Sequence, residues 1–441
     1  MKTNEHFSQN YRKYALGVLF LGYVVNFIDR SILSILLEPI KLELALTDTQ
    51  LGMLGGLAFA IFYTTLGIPI AALADRRSRV KILAIAMVIW SGMTALCGFA
   101  QGFMMLLLAR IGVGVGEAGA SPPSHSLISD YFPVDTRATA LSIYALGIPF
   151  GSMIGNYVGG WGAEALGWRT TFVLVGAPGI AVALLIWFTL REPPRGMADA
   201  ELQKIKIEPT AEKIEAPGVR EVLSLLWKQT AFRHLSFAAG LHAFIGYGAG
   251  TWNAPFLMRS HDMAVSEVGT WLAMIYGIGA IGTFLGGYLG DKLSEKYDDR
   301  RWYMWVPGYS TILMVPFQFL AYLYGGLWAV IPAMIVVSIL GGMYLGPSFA
   351  MTQGLVSLRM RAVASAILLF MLNIIGMGMG PFMVGVFSDL LNPSFGIDSL
   401  RFALCLGVLA NVWAAFHYFV GAKSLRENLS VVEDVNTQVS N

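Results

Sequence analysis

Charge is scarce in this chain: only 13% of its 441 residues are Asp, Glu, Lys or Arg. A soluble domain carries roughly 25%, so a water-borne globular fold is excluded. Cysteine is nearly missing. Cys97 and Cys405 both fall inside apolar runs, which implies neither a disulfide framework nor a metal cluster. No H-E-x-x-H or G-x-S-x-G run occurs, and no phosphate-cradling loop, so peptidase, hydrolase and ATP-driven chemistry are disfavoured. The run GVGVGEAG (112–119) follows no strand and is not a dinucleotide fingerprint. The chain reads as a non-enzyme with no cofactor and no metal. Nor does it show the added soluble domain that a membrane-embedded sensor would carry. Its basic start, MKTNEHFSQNYRK, has no small-residue cleavage site before the first apolar run and reads as a tail, not a removed leader.

Apolar residues fill the space that charge leaves. They make up 56% of the chain, with a mean hydropathy of +0.61. About 20 such residues cross the roughly 30 Å hydrocarbon layer. Twelve segments qualify, near 14–39, 50–73, 82–101, 103–128, 139–162, 170–190, 234–257, 267–290, 302–324, 326–350, 362–388 and 400–422. The expected fold class is an all-α membrane protein with twelve transmembrane helices in two six-helix bundles. Residues 1–190 would form the N-terminal bundle, 191–233 a cytoplasmic linker with room for short amphipathic helices, 234–422 the C-terminal bundle and 423–441 a cytoplasmic tail. Lys and Arg mark cytoplasmic loops. Placing both termini inside puts 24 of the 30 basic residues on that side, against Lys41, Arg169, Arg259 and Arg401 outside. A repeat relates the halves: AALADRRSRVK (71–81) aligns with GYLGDKLSEK (287–296), matching Asp75 with Asp291, and Arg137 aligns with Arg361.

Four charged residues lie well inside spans, away from their ends. Asp29 and Arg30 sit in the first, Arg110 and Glu117 in the fourth. Each costs roughly 2.5–3.5 kcal/mol on insertion scales, so such groups point to a transport pathway. Tyr23, Asn26 and Arg30 are spaced i, i+3, i+7, and Arg110, Gly114, Glu117, Ser121 and Ser124 form a second polar stripe. At about 1.5 Å per residue, Asp29 and Arg110 reach similar depth, with Glu117 about two turns deeper. The expected pair is Asp29 with Arg110, leaving Glu117 to Arg30, water or substrate. Arg stays charged, so Asp29 and Glu117 are the members able to exchange protons. The second half reads as poor in polar groups: His242, Asn253, Tyr344 and Asn373 among Met343, Met371, Met377, Met379 and Met383. Methionine adapts to varied ligands. A charged first half and an apolar second half suit an amphipathic anion, while a small organic acid would need a second polar cluster.

The runs NFIDR (26–30), ADRRSRVK (74–81), RIGVGVGEAG (110–119), SLISDYFPVDTRATALSIY (126–144), GIPFGSMIGNYVGG (147–160), GWR (167–169) and REPPRG (191–196) resemble the major facilitator superfamily. Within it the chain resembles the Spinster-like branch. Ala71 and Ser78 stand where the wider superfamily usually has glycine. The resemblance implies a proton-coupled, alternating-access transporter of a lysophospholipid or sphingosine-phosphate-like anion. The alternative is a proton symporter of a small organic acid, a sugar acid or aromatic acid. Expected partners are the anionic amphipathic small molecule, protons and membrane lipids, with no nucleic acid. A monomer in a bacterial inner membrane is expected. Asp29 and Glu117 would couple protons, and Arg30, Arg110, Asn26, Tyr23, His242 and Asn373 would bind substrate. Asp75, Arg76, Arg137 and Asp291 would gate the inner side.

Overall fold

The computed structural model describes residues 7–74, 76–198, 218–357 and 360–440. These are helical apart from turns and short connections. Nine stretches among the described residues are long and apolar enough to cross a bilayer. Two of them, Asp135–Thr189 and Arg361–Leu429, run 55 and 69 residues and have room for two crossings each. Gly167 (φ 78°) breaks the first and Gly396 (φ 56°) the second, each with a positive φ that glycine adopts without a Cβ clash. Thr230–His261 adds a 32-residue helix. Taken together, these helices accommodate the twelve expected crossings.

Capping explains where the ends depart from the apolar runs. The first span covers Gln9–Leu44, beyond both ends of the apolar run. Ser8 accepts from the Tyr11 N–H at 3.2 Å, and Ala45 closes the far end at φ 51°. At the second span Thr47 and Gln50 form a reciprocal capping box. The last helix runs Ser399–Ser440, through the segment expected as a tail. After Gly218 the linker forms a helix of its own, Val219–Lys228.

The chain divides into two compact units. The first comprises Met1–Leu46, Ala58–Lys213 and Ala264–Ala273; the second comprises Thr47–Leu57, Ile214–Met263 and Met274–Asn441. Each unit thus holds a short segment that the linear order assigns to the other half. In the first unit, a Cβ on Gly160 would lie 2.6 Å from the Val265 carbonyl oxygen, and Trp161 donates to the Thr270 hydroxyl at 3.2 Å. In the second, a Cβ on Gly52 would lie 2.5 Å from the Pro381 carbonyl oxygen. Asp389 accepts from the Asp48 and Thr49 N–H groups at 3.0 and 2.7 Å, satisfying the start of that helix. Asp48 pairs with Arg259 through two bonds of 2.7 and 2.9 Å.

One loop of the second unit titrates. Asp299 accepts from Arg301 at 2.9 and 2.7 Å and from Arg426 at 2.8 Å. The hydrogen bonds from Arg301 lead in holding its carboxyl down, to about 2. An unfolded Asp titrates near ~3.9. The stabilisation is therefore complete above that value and is lost as pH falls toward 2. Thermal unfolding in detergent should show Asp299→Asn melting below wild type at neutral pH, with the gap closing below about pH 4. A gap that stays constant into acid would contradict this assignment.

Candidate functional site

The buried charges of the first unit converge. The first span carries Asn26, Asp29 and Arg30 and the fourth, Phe103–Tyr131, carries Arg110 and Glu117. Glycine makes the approach of neighbouring spans possible. A Cβ on Gly114 would lie 2.8 Å from the Phe59 carbonyl oxygen, and one on Gly116 would lie 2.6 Å from the Trp90 nitrogen. These contacts draw the second span, with Phe59 and Tyr63, and the third, Arg79–Cys97, onto the charged stripe.

Arg30 Nε meets Glu117 Oε2 at 2.5 Å. The Arg30 side chain stays 19% exposed while that of Glu117 is fully buried. The acid is hidden behind a cation that solvent can reach. The Arg30 guanidinium lies over the rings of Phe27, Phe59 and Tyr63, at 5.1, 5.1 and 4.7 Å. Arg110 lies 5.5 Å from the same Phe59 ring, so one aromatic serves both cations.

Asp29 is fully buried, and neither carboxylate oxygen accepts a hydrogen bond. The expected Asp29–Arg110 pair is therefore not hydrogen-bonded. Glu117, Arg110, Thr94 and Trp90 are its electrostatic neighbours, with the Thr94 hydroxyl and Trp90 N–H not closing a bond. Asn26 is buried beside Glu117. Tyr23 is half-buried and stacks on Tyr144 with centroids 4.2 Å apart. All six first-half residues expected to couple protons or bind substrate thus belong to one unit, five of them in or beside the ionisable cluster.

The gating residues fare differently. Asp75 lies outside the described residues. Arg76 is exposed. Arg137 donates to the Phe132 and Ser129 carbonyls at 3.2 and 3.0 Å, tying off the end of the fourth span. Asp291 accepts from the Tyr303 hydroxyl at 2.5 Å. A denser network was missed. Arg79 is buried and donates to Glu192 at 2.6 Å, to the Pro193 carbonyl at 2.7 Å and to Asp130. Ser78, at one of the two positions where glycine is usual, caps the third span and donates to Glu192 at 2.8 Å. Although burial of Glu192 pushes the other way, bonds from the Val80 N–H, Arg79 and Ser78 hold its carboxyl below the usual range. The contributing motifs were visible; their meeting was not, because they are 51 and 113 residues apart.

The second unit is richer in polar groups than its sequence suggests. A cavity of about 260 Å³ is lined by His242, Asn253, Tyr276, Gln318, Tyr322 and Tyr344, among others. His242 Nδ1 lies 2.8 Å from the Thr311 hydroxyl and Nε2 lies 3.1 Å from the Gly341 carbonyl. A carbonyl only accepts, so Nε2 carries the proton and Thr311 donates to Nδ1. Tyr322 donates to Asn253 at 3.2 Å and Asn411 donates to Gln318 at 2.8 Å. Asn373 sits in the π-helical turn Leu372–Gly378 and does not line this cavity. Of the methionines, Met314 and Met334 line it, and none of the five expected ones does.

The family described as Major Facilitator Superfamily matches residues 19–381. An MFS-type efflux pump of Mycolicibacterium smegmatis is 33% identical over 94% of each chain. The hexuronate transporter of Bacillus subtilis is 29% identical over 63% of this chain and 64% of that one. A crystal structure of a bacterial homologue of the human lysosomal transporter Spinster, inward-facing and unoccupied, matches with a TM-score of 0.86 and 32% identity. That match covers 96% of this chain and 99% of the other.

The geometry ranks two couplings. In a double-mutant cycle on thermal stability, Arg30→Gln and Glu117→Gln should be non-additive by about 0.5–3 kcal/mol. The cycle of Asp29→Asn with Arg110→Gln should give a smaller value, because no hydrogen bond joins them. The reverse order would refute the arrangement described.

Proposed function

Since the chain belongs to the major facilitator superfamily, and so is an integral-membrane transporter of small molecules and not an enzyme, we propose that it is a proton-coupled carrier of an amphipathic anionic lipid. Lysophospholipids and sphingosine-phosphate-like anions are the substrate class, and alternating access is the mechanism. Its place is a bacterial inner membrane, as a monomer with both termini in the cytoplasm.

The observation that carries this reading is the Arg30–Glu117 pair, reachable at the cation and closed at the acid. An anionic headgroup competes with Glu117 for Arg30. Once displaced, the Glu117 carboxylate is buried without its counter-charge, and burial favours the neutral acid. Anion binding therefore raises proton affinity, and protonation in turn frees Arg30 for the anion. Proton and anion bind together. Asp29, buried without a hydrogen-bond donor, is the second proton acceptor. Arg110, Asn26 and Tyr23 extend the anion site of the first unit, and His242 and Asn373 are the substrate-binding residues proposed for the second. Arg76, Arg137, Asp75 and Asp291 act at the inner gate. The likeness to a Spinster homologue along nearly the whole chain supports the Spinster-like branch, whose resemblance implies the lipid class.

A second reading is proton symport of a small organic acid such as a sugar acid. The polar cavity of the second unit favours it, since Asn253, Gln318 and the tyrosines form the cluster such a substrate needs. Likeness to a hexuronate transporter points the same way.

Proteoliposomes with an imposed pH gradient separate the two. Gradient-driven movement of a lysophospholipid, abolished by Glu117→Gln, is the expected result. Hexuronate flux without lysophospholipid flux would establish the second reading. Wild-type flux in Glu117→Gln would remove the proton role from this residue.

A further inference from the structure

The linker helix Val219–Lys228 has a face that its own unit does not cover. Val222 and Leu226 are fully buried, packed with Leu355 and Val356 just past the end of one helix, Ala364 in the first turn of the next and Leu429 within the last. Val219, Leu223 and Trp227, spaced i, i+4, i+8, form the adjoining stripe and remain 56%, 40% and 41% exposed. At about 100° per residue this stripe borders the buried one, and Arg220, Ser224 and Lys228 occupy the far side. A ten-residue helix is about 15 Å long. It is pinned at its end by Gln229, which donates to the Leu355 carbonyl at 3.0 Å.

The exposed stripe continues onto the spans. The Trp227 ring lies 6.1 Å from that of Phe237 on the seventh span, and Phe237 lies 5.9 Å from His417 on the twelfth. Trp413 is next, 5.9 Å from His417, and is 58% exposed. Surfaces of spans exposed in this way meet lipid, and aromatic rings gather where hydrocarbon gives way to headgroups. Arg220, Lys228 and Arg233 are exposed around the same end, against a single acid on the helix, Glu221.

We propose that Val219–Lys228 is an in-plane membrane anchor that docks on the leaflet at the linker side and selects anionic phospholipid headgroups. Its apolar stripe enters the headgroup–acyl boundary, while Arg220, Lys228 and Arg233 meet phosphate. Continuity with the lipid-facing aromatics identifies the occupant as bilayer, and the basic excess makes it an anionic one. Through Leu355, Val356 and Ala364 the anchor is packed against the inner ends of the tenth and eleventh spans, so leaflet composition acts on those ends.

The test uses the full chain in phosphatidylcholine vesicles with and without phosphatidylglycerol. Cys97 and Cys405 are buried, so an added cysteine takes the fluorescent label, at Leu223→Cys or Ser224→Cys. The 223 label should be quenched by nitroxide-bearing lipid and shielded from aqueous iodide, and the 224 label should behave the opposite way. Phosphatidylglycerol should deepen the 223 quenching, and Arg220→Gln with Lys228→Gln should remove that increment, by about five-fold per charge in lipid preference. A 223 label open to iodide would overturn the proposal. So would one shielded from both quenchers, which means that protein covers the stripe. Quenching indifferent to phosphatidylglycerol would likewise overturn the anionic selectivity.

Discussion

A carboxylate deep among apolar helices must be neutralised by a proton or by a cation, and in this fold the cation is Arg30. The 2.5 Å contact with Glu117 is the constraint around which the first unit is arranged. Phe27, Phe59 and Tyr63 surround the guanidinium with ring faces, which hold a cation without adding a competing acid. The glycines at 114 and 116 admit the backbones of the second and third spans closely enough to bring those groups into place. Arg30 keeps some exposure, so a ligand can reach the cation, and the acid it leaves behind is then neutralised by a proton.

Away from that centre, the remaining charges serve as ties. Arg79 gathers Asp130 and Glu192, residues from three separate motifs, at one end of the first unit. Asp299 gathers Arg301 and Arg426 in the second. Asp48 and Arg259 fasten the start of the second span against the seventh, with Ser388 donating to Asp48 at 2.6 Å. The largely buried pairs among them, Arg79–Asp130 and Asp48–Arg259, are weak sources of net stability but costly to break one partner at a time. They suit joints that must hold one arrangement firmly and then release.

The spans were legible because their signal is redundant: some twenty apolar residues each, with charge confined to loops and two special helices. The ionisable cluster was legible for the same reason, since Asp29, Arg30, Arg110 and Glu117 stand out against hydrocarbon. Their pairing was harder to read. Depth along a helix is uncertain by about a turn, and neighbouring residues such as Asp29 and Arg30 point about 100° apart. The Asp48–Arg259 tie was hidden because Asp48 lies in a capping turn and its partner is 211 residues away. The cavity of the second unit was hidden for another reason. Its polar atoms belong to tyrosines, Gln318 and Asn253 scattered singly through apolar runs, where each alone looks like a packed core residue.

Whether Arg30 trades Glu117 for an anion can be measured directly as protons taken up on binding. Detergent-solubilised protein in weak buffer, titrated with a lysophospholipid, should draw protons from solution as the anion binds. The uptake should vanish in Glu117→Gln while binding persists. Binding with no change in proton occupancy, in wild type and variant alike, would contradict the account at its centre.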